Sequence, residues 1–316
     1  MTDSAPKSRL PRTGTLVLIA VVLLIGGGAL MVWLPYHREQ QVIAEVERLR
    51  GRTGITIVRP FWVPDAIDDE YLGVFERIAF VEFSNPLVGD AGLEHLHGLT
   101  HLESLSLSET QITDVGLRHL RGLTNLQWLV LDNTRVRNSG LQHLRPLIKL
   151  KYLYLNNTQI SDEGLEHIRG LTKLEELSLN GTQVSDVGIE HLRGLINLNC
   201  LWLGNTKVSD DGLVHLQGLT NLADISFSST LVGDEGIEHI RKLTDLMYLS
   251  FDDTQVSDSG LERLQRLTNL RSLNVSNTTV TRTGIERLHQ SLPNCIINWT
   301  PRVKRLQIND IIERLP

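Results

Sequence analysis

The chain predicts an α/β solenoid, and three residue series in strict register predict it. Leu102, Leu126, Leu150, Leu174, Leu198, Leu222, Leu246 and Leu270 stand 24 residues apart. A threonine series from Thr110 to Thr278 keeps the same step, and so does a glycine series from Gly92 through Gly116 and Gly164 to Gly284. A fixed period in this range means stacked supersecondary units rather than one folded-up globule.

One unit runs from His101 to Thr124. Leu105 and Leu107 alternate with Ser104, Ser106 and Ser108, the period-2 pattern of a short strand. Thr113-Asp114 reads as a helix start, where a hydroxyl or carboxylate accepts an orphan backbone N–H. Leu117, Leu120 and Leu123 then form one apolar helical stripe. Each unit is therefore strand, turn, short helix, turn, and it cannot bury its own apolar face; stacking buries the leucines in one continuous core. Neighbouring strands need about 4.8 Å and packed helices about 8–10 Å. Strands are thus expected on the inner arc and helices on the outer arc of a curved solenoid.

The pattern LxxLxLxxTxVxDxGLxHLxG, as in Leu171 to Gly194, resembles the leucine-rich repeat family. It is similar to the bacterial 24-residue variety, related to ribonuclease-inhibitor-like horseshoes, over residues 77–300. The resemblance implies a right-handed horseshoe with parallel strands on the concave face and short helices on the convex face. Many family members carry Asn where this chain has the Thr110 series. A Thr hydroxyl both donates and accepts, so the Thr ladder is expected to satisfy turn backbone groups. Glycine at the third helical position costs up to about 1 kcal/mol relative to Ala. Its regular presence predicts close backbone packing under the next coil.

Outside the repeats, Leu16 to Leu34 carries no charge and as a helix spans about 28 Å, close to the hydrocarbon core of a bilayer. Trp33 and Tyr36 stand at its outer end, where amphipathic rings prefer the interface. Lys7, Arg9 and Arg12 precede it. The length of the run and the absence of a small-x-small cleavage site before His37-Arg38 favour an uncleaved anchor over a signal peptide. The flanking basic residues predict a single-pass protein with the repeats on the extracytoplasmic side. Residues 1–12 are then a cytoplasmic tail, 13–36 the transmembrane anchor, 37–76 a juxtamembrane helix and N-terminal cap, 77–293 nine 24-residue coils, and 294–316 a C-terminal cap. Within the first cap, Gln40 to Leu49 reads as a helix, Ile55 to Val58 as a strand, and Leu72 and Phe75 as a second short helical stretch. Leu292 to Trp299 reads as a break in the repeat.

The net charge of −6 disfavours nucleic acid as a partner. The two cysteines, Cys200 and Cys295, are four coils apart, about 20 Å at strand spacing and beyond bridging distance. A histidine ladder (His95, His119, His143, His167, His191, His215 and His239) sits on separate helices about 10 Å apart, whereas a zinc–nitrogen bond is about 2.1 Å. Packing between coils is therefore expected, not metal binding. An aspartate ladder (Asp114, Asp162, Asp186, Asp210, Asp234 and Asp258) falls in helix first turns, where the dipole favours negative charge, so a capping role is expected. No phosphate loop, nucleophile elbow or HExxH sequence occurs. The glycosylation sequons at Asn156 and Asn274 follow from the repeat grammar.

Strand residues between the leucines vary from coil to coil, and specificity should reside there. Trp128, Tyr152, Tyr154, Trp202 and Tyr248 occupy such positions, as do Asp132, Asn156, Glu176, Asp224 and Asp252, with no Lys or Arg among them. Aromatics at exposed positions are typical binding anchors. These residues are the candidate protein-binding site on the concave face, with no catalytic, cofactor or metal site expected. The expected function is that of a membrane-anchored, non-catalytic interaction module for a neutral or basic protein or peptide. The alternatives are a cell-envelope polysaccharide binder, since rings stack on sugars, and a substrate-recruiting adaptor of a ubiquitin-ligase-like system.

Overall fold

The computed structural model describes residues 33–59, 68 and 72–302. Among them, a single sheet of 11 strands follows chain order, each strand beside its neighbours in sequence. β1 (Arg52–Ile57) pairs antiparallel with β2 (Glu76–Glu82), and every later pairing is parallel. The strands of the repeats are β3 (Ser104–Ser106), β4 (Trp128–Val130), β5 (Tyr152–Tyr154), β6 (Glu176–Ser178), β7 (Cys200–Trp202), β8 (Asp224–Ser226), β9 (Tyr248–Ser250) and β10 (Ser272–Asn274), followed by β11 (Ile296–Asn298). Register follows the 24-residue step, so Leu105 faces Leu129, Leu129 faces Leu153 and Leu153 faces Leu177.

This register puts like beside like. Leu102, Leu105, Leu107, Leu117, Leu120 and Leu123 are fully buried, and their counterparts are buried coil after coil in one continuous core until the last winding, where Ile285 and Ile297 are only partly buried. The helices are short, often one α-turn such as Asp114–Leu117 running into a 3₁₀ turn, Arg118–Leu120. They need no intrinsic stability, because each lays its apolar stripe on its neighbours.

Each interior series has a distinct physical task. Every threonine of the 24-residue series that runs from Thr110 to Thr278 is buried. The Thr110 and Thr158 hydroxyls donate at 2.6 Å to the carbonyls of Leu107 and Leu155, three residues back. The residue before the threonine has positive φ in coil after coil, as at Asn133, Asn157, Asn205 and Asn277. Asn tolerates this left-handed conformation better than most residues.

The aspartates depart from the expected role. Each lies in the first turn of its own helix, yet its carboxylate serves the next coil. Asp186 Oδ1 accepts the Ser209 backbone N–H at 2.7 Å and Oδ2 accepts the Ser209 hydroxyl at 2.6 Å. Asp90, Asp162 and Asp258 do the same for Thr113, Ser185 and Thr281. Asn138, which breaks the aspartate series, still accepts from the Ser161 N–H through its amide oxygen.

The glycine series is corrected along with it. The close approach is not to the coil that follows but to the carboxylate of the coil before. A Cβ on Gly188 or Gly212 would stand 2.5 Å from Oδ1 of Asp162 or Asp186. Only glycine leaves room for that staple.

At the N-terminal end, residues 33–48 are helical. Val42 and Val46 from this helix join the main core, and Glu39 Oε2 accepts the Ile78 backbone N–H at 2.5 Å. Leu72 and Phe75 form a small separate cluster against Ile57. At the other end, Leu292 to Trp299 does not interrupt the backbone repeat. Ser272 faces Ile296 and Leu273 faces Ile297 in the same 24-residue register. The segment lacks the leucine pattern but keeps the strand, and the Trp299 indole N–H ties it to the Val280 carbonyl at 3.0 Å.

No helix among the described residues is long and apolar enough to cross a membrane. Residues 13–32 of the expected anchor, the expected tail 1–12, and residues 303–316 of the expected C-terminal cap lie outside the described residues.

Candidate functional site

The strands β3 to β10 are three residues long, with the middle residue buried and its two neighbours turned to the opposite face. That alternation carries the candidate residues outward. Trp128 is 39% and Tyr248 45% exposed; Tyr152, Tyr154 and Trp202 are half-buried against their neighbours.

Four of the rings form one platform. Trp128 lies 4.7 Å from Tyr152 and 5.5 Å from Tyr154, centroid to centroid. Tyr154 reaches Trp202 at 6.2 Å with the planes 19° apart. Tyr154 and Trp202 sit on β5 and β7, with the small Ser178 on β6 between them, and Ser178 is buried. The small residue lets the two rings close across a strand that separates them. Tyr248 on β9 stands apart from this group.

Carboxylates border the platform. The Tyr154 hydroxyl donates to Glu176 at 2.5 Å, and the Tyr152 hydroxyl to Glu175 at 3.2 Å. Burial and the acceptor Glu176 together push the Tyr154 phenol well above its ordinary range. Cys200 lies in register between Glu176 and Asp224. Burial first, then the two carboxylates, push its thiol up to about 12. The thiol therefore stays protonated and is a poor nucleophile. Burial also raises the carboxyls of Asp132 and Asp224.

Two candidate residues carry structural work as well. Asp132 Oδ1 accepts the Asn156 backbone N–H at 2.7 Å. Asn156 Oδ1 accepts the Asn180 N–H at 3.0 Å, and Asn180 Oδ1 the Gly204 N–H at 2.7 Å. This ladder along the third outward row was missed from the sequence. The alternation of residue types did not reveal it, because the bonds join residues 24 positions apart.

The histidines form a column on the helical side. Arg121 Nε–H donates to His143 Nδ1 at 2.9 Å, and Arg145 stands 2.8 Å from His167 Nδ1. Arg193 and Gln217 hold His215 and His239 in the same way. Burial first, and the arginine of the preceding coil second, hold the imidazoles of His143, His167 and His215 below their ordinary value of 6.5. Among the described residues, no group of three or more His, Cys, Asp or Glu stands close enough to hold a metal ion.

The sequence model of a leucine-rich repeat region matches residues 135–316, and a second leucine-rich repeat model matches residues 85–136. The protein belongs to the leucine-rich repeat family, whose repeat regions typically serve as protein–protein interaction modules. Its structure is similar to that of internalin C2 from Listeria monocytogenes strain 4b F2365, at 23% identity and a TM-score of 0.47, covering 86% of this chain and 96% of that one. It is also similar to the plant peptide hormone receptor RGFR1, solved in complex with RGF2, at 19% identity and a TM-score of 0.47. That likeness covers 70% of this chain and 35% of the receptor chain. No curated protein matches the sequence.

Proposed function

We propose that this chain is a membrane-anchored, non-catalytic interaction module of the bacterial 24-residue repeat type. Its open sheet face binds a neutral or basic protein or peptide. The observation that carries the reading is the four-ring platform of Trp128, Tyr152, Tyr154 and Trp202. Asp132, Asn156, Glu176, Asp224, Tyr248 and Asp252 extend the site, and no outward strand position from Ser104 to Ser276 carries Lys or Arg. Exposed aromatic clusters supply contact area at low entropic cost. Carboxylates beside them favour cationic side chains over the rings.

The anchor is residues 13–36, and the repeats are extracytoplasmic. Both rest on the uncharged run Leu16 to Leu34 and its flanking charges. Replacing Trp128 and Trp202 together with Ala should abolish partner pull-down from native membranes and leave the circular dichroism intact. Full retention of the partner refutes the site. Protease treatment of intact spheroplasts should digest the repeats; protected repeats would reverse the orientation.

A further inference from the structure

A large cavity of the described residues lies off the platform. It is a trough of about 1010 Å³ along the edge where the chain enters the strands, beside β5 to β10. Lys151 and Met247, which line it, immediately precede Tyr152 and Tyr248. The trough is therefore continuous with the rim of the open face. It exists because the short side chains of Asn199 and Ala223 occupy positions that Lys151, Glu175 and Arg271 fill at its two ends.

Its chemistry is unlike that of the platform. Asn197, Asn221 and Asn269 each donate their side-chain amide to a backbone carbonyl of the preceding coil, at 2.7 to 2.9 Å. Their Oδ1 atoms accept no hydrogen bond among the described residues, so the trough presents a row of acceptors. Lys173, Asp245 and Arg271 are exposed and line it. None makes a side-chain hydrogen bond or ion pair among the described residues. At about 4.8 Å per strand, Lys173 and Arg271 are about 19 Å apart, with Asp245 one coil from Arg271. An extended chain rising about 3.3 Å per residue covers that distance in about six residues.

We infer that the trough receives an extended peptide segment that carries acidic residues opposite Lys173 and Arg271 and a basic residue opposite Asp245. The order of unpaired charges selects the occupant. A neutral glycan leaves all three charges uncompensated, and a polyanion meets Asp245 and Glu175. A polypeptide supplies both signs and a row of backbone N–H donors for the asparagine oxygens. Ala223 and Met247 supply an apolar floor for its side chains. The inference rests on the reading that this chain binds polypeptide, and the test separates the two.

A display library of random 12-residue peptides is selected against the full chain in detergent micelles. Selected peptides should carry two acids about five or six residues apart with a base beside one of them. Asp245→Lys should weaken those peptides at least tenfold. Reselection on that variant should replace the base by an acid, a rescue that misfolding cannot mimic. Circular dichroism should be unchanged, since the residue is exposed. Weakening by the Trp128→Ala, Trp202→Ala double variant but not by Asp245→Lys assigns the peptide to the platform and overturns the trough. Weakening by Asp245→Lys alone supports the trough and leaves the platform without a ligand. Selection of no charge pattern, or of no peptide, overturns the inference.

Discussion

The two halves of the open sheet face share one backbone and differ in the side chains that dominate their outward rows. From β4 to β7 the outward residues include Trp128, Tyr152, Tyr154 and Trp202, and the rings touch from strand to strand. From β8 to β10 they include Ser226, Ser228, Ser250, Ser272 and Ser276, and hydroxyls bond one another instead, as Ser228 does with Ser250 at 2.9 Å. The buried residue between them is Leu or Ile in both halves, and the register is the same. Interior repetition holds the scaffold constant, so the outward positions are free to differ. Any difference in binding between the halves is then a difference in side chains, not in fold.

The sharpest way to break this comparison is to erase the platform. Trp128→Ala with Trp202→Ala should cost at least about 4 kcal/mol in partner binding, if each ring has the roughly 2 kcal/mol of a hot spot. Ser226→Ala with Ser250→Ala should change it by less than about twofold, as peripheral contacts do. Calorimetric titration with the captured partner would measure both. Equal losses from the two halves would remove the distinction.

The next effect is on the scaffold that both halves share. Gly164→Val places a Cβ 2.8 Å from the Asn138 amide oxygen and 3.0 Å from Ile160. Overpacking of this kind costs about 1–3 kcal/mol, and scanning calorimetry should show a lower melting temperature. Gly170→Ala meets nothing within 4 Å and serves as the neutral control. An unchanged melting temperature for Gly164→Val would overturn the packing account.

A smaller loss is expected at the aspartate staple. Asp186→Ala removes the acceptor for the Ser209 N–H and hydroxyl, at a cost of about 1–3 kcal/mol for the charge-assisted bonds. Asp186→Asn keeps one acceptor oxygen, as Asn138 does naturally, and should lose less. Urea denaturation that ranks the two variants the other way would refute the staple.

The smallest effect is a pH dependence. Because folding lowers the pKa of His143, His167 and His215 below 6.5, the unfolded chain binds more protons just below that value. Stability is therefore fully present above 6.5 and is lost as pH falls through 6.5 towards the depressed folded values. The carboxyls of Glu39, Asp132 and Asp224, raised by burial, act in the opposite sense at lower pH. A triple His→Gln variant isolates the imidazoles: its melting temperature between pH 7.5 and 5.5 should fall less than that of the parent. An equal fall in both would assign the effect elsewhere.

Much of the scaffold was legible because the signal was repeated. One leucine in a strand pattern is weak, but the same leucine at eight equally spaced positions predicts its partner, its register and its burial together. The outward direction of Trp128 and Tyr248 followed from the period of two. Besides the ladder through Asp132, Asn156 and Asn180, three things were not legible. The Asp186 carboxylate reads as a cap for its own helix until the next coil is laid beside it. The continuation of the sheet through Ile296 was hidden because an in-register strand needs backbone pairing, not leucine. The trough depends on short residues at Asn199 and Ala223 between longer ones, a difference visible only across neighbouring coils.

The amino-acid order alone determined that coils stack, which positions go inside and which strands pair. Every coil repeats the same apolar pattern, and only one arrangement buries all of them. The tertiary structure decided what happens between residues 22 to 25 positions apart. The lean of Tyr154 and Trp202 over Ser178, the aspartate that serves its neighbour and the charges left unpaired along the rim belong to that level. Side-chain direction there depends on the size and charge of the residue one coil away, and that neighbour becomes adjacent only once the chain has wound round.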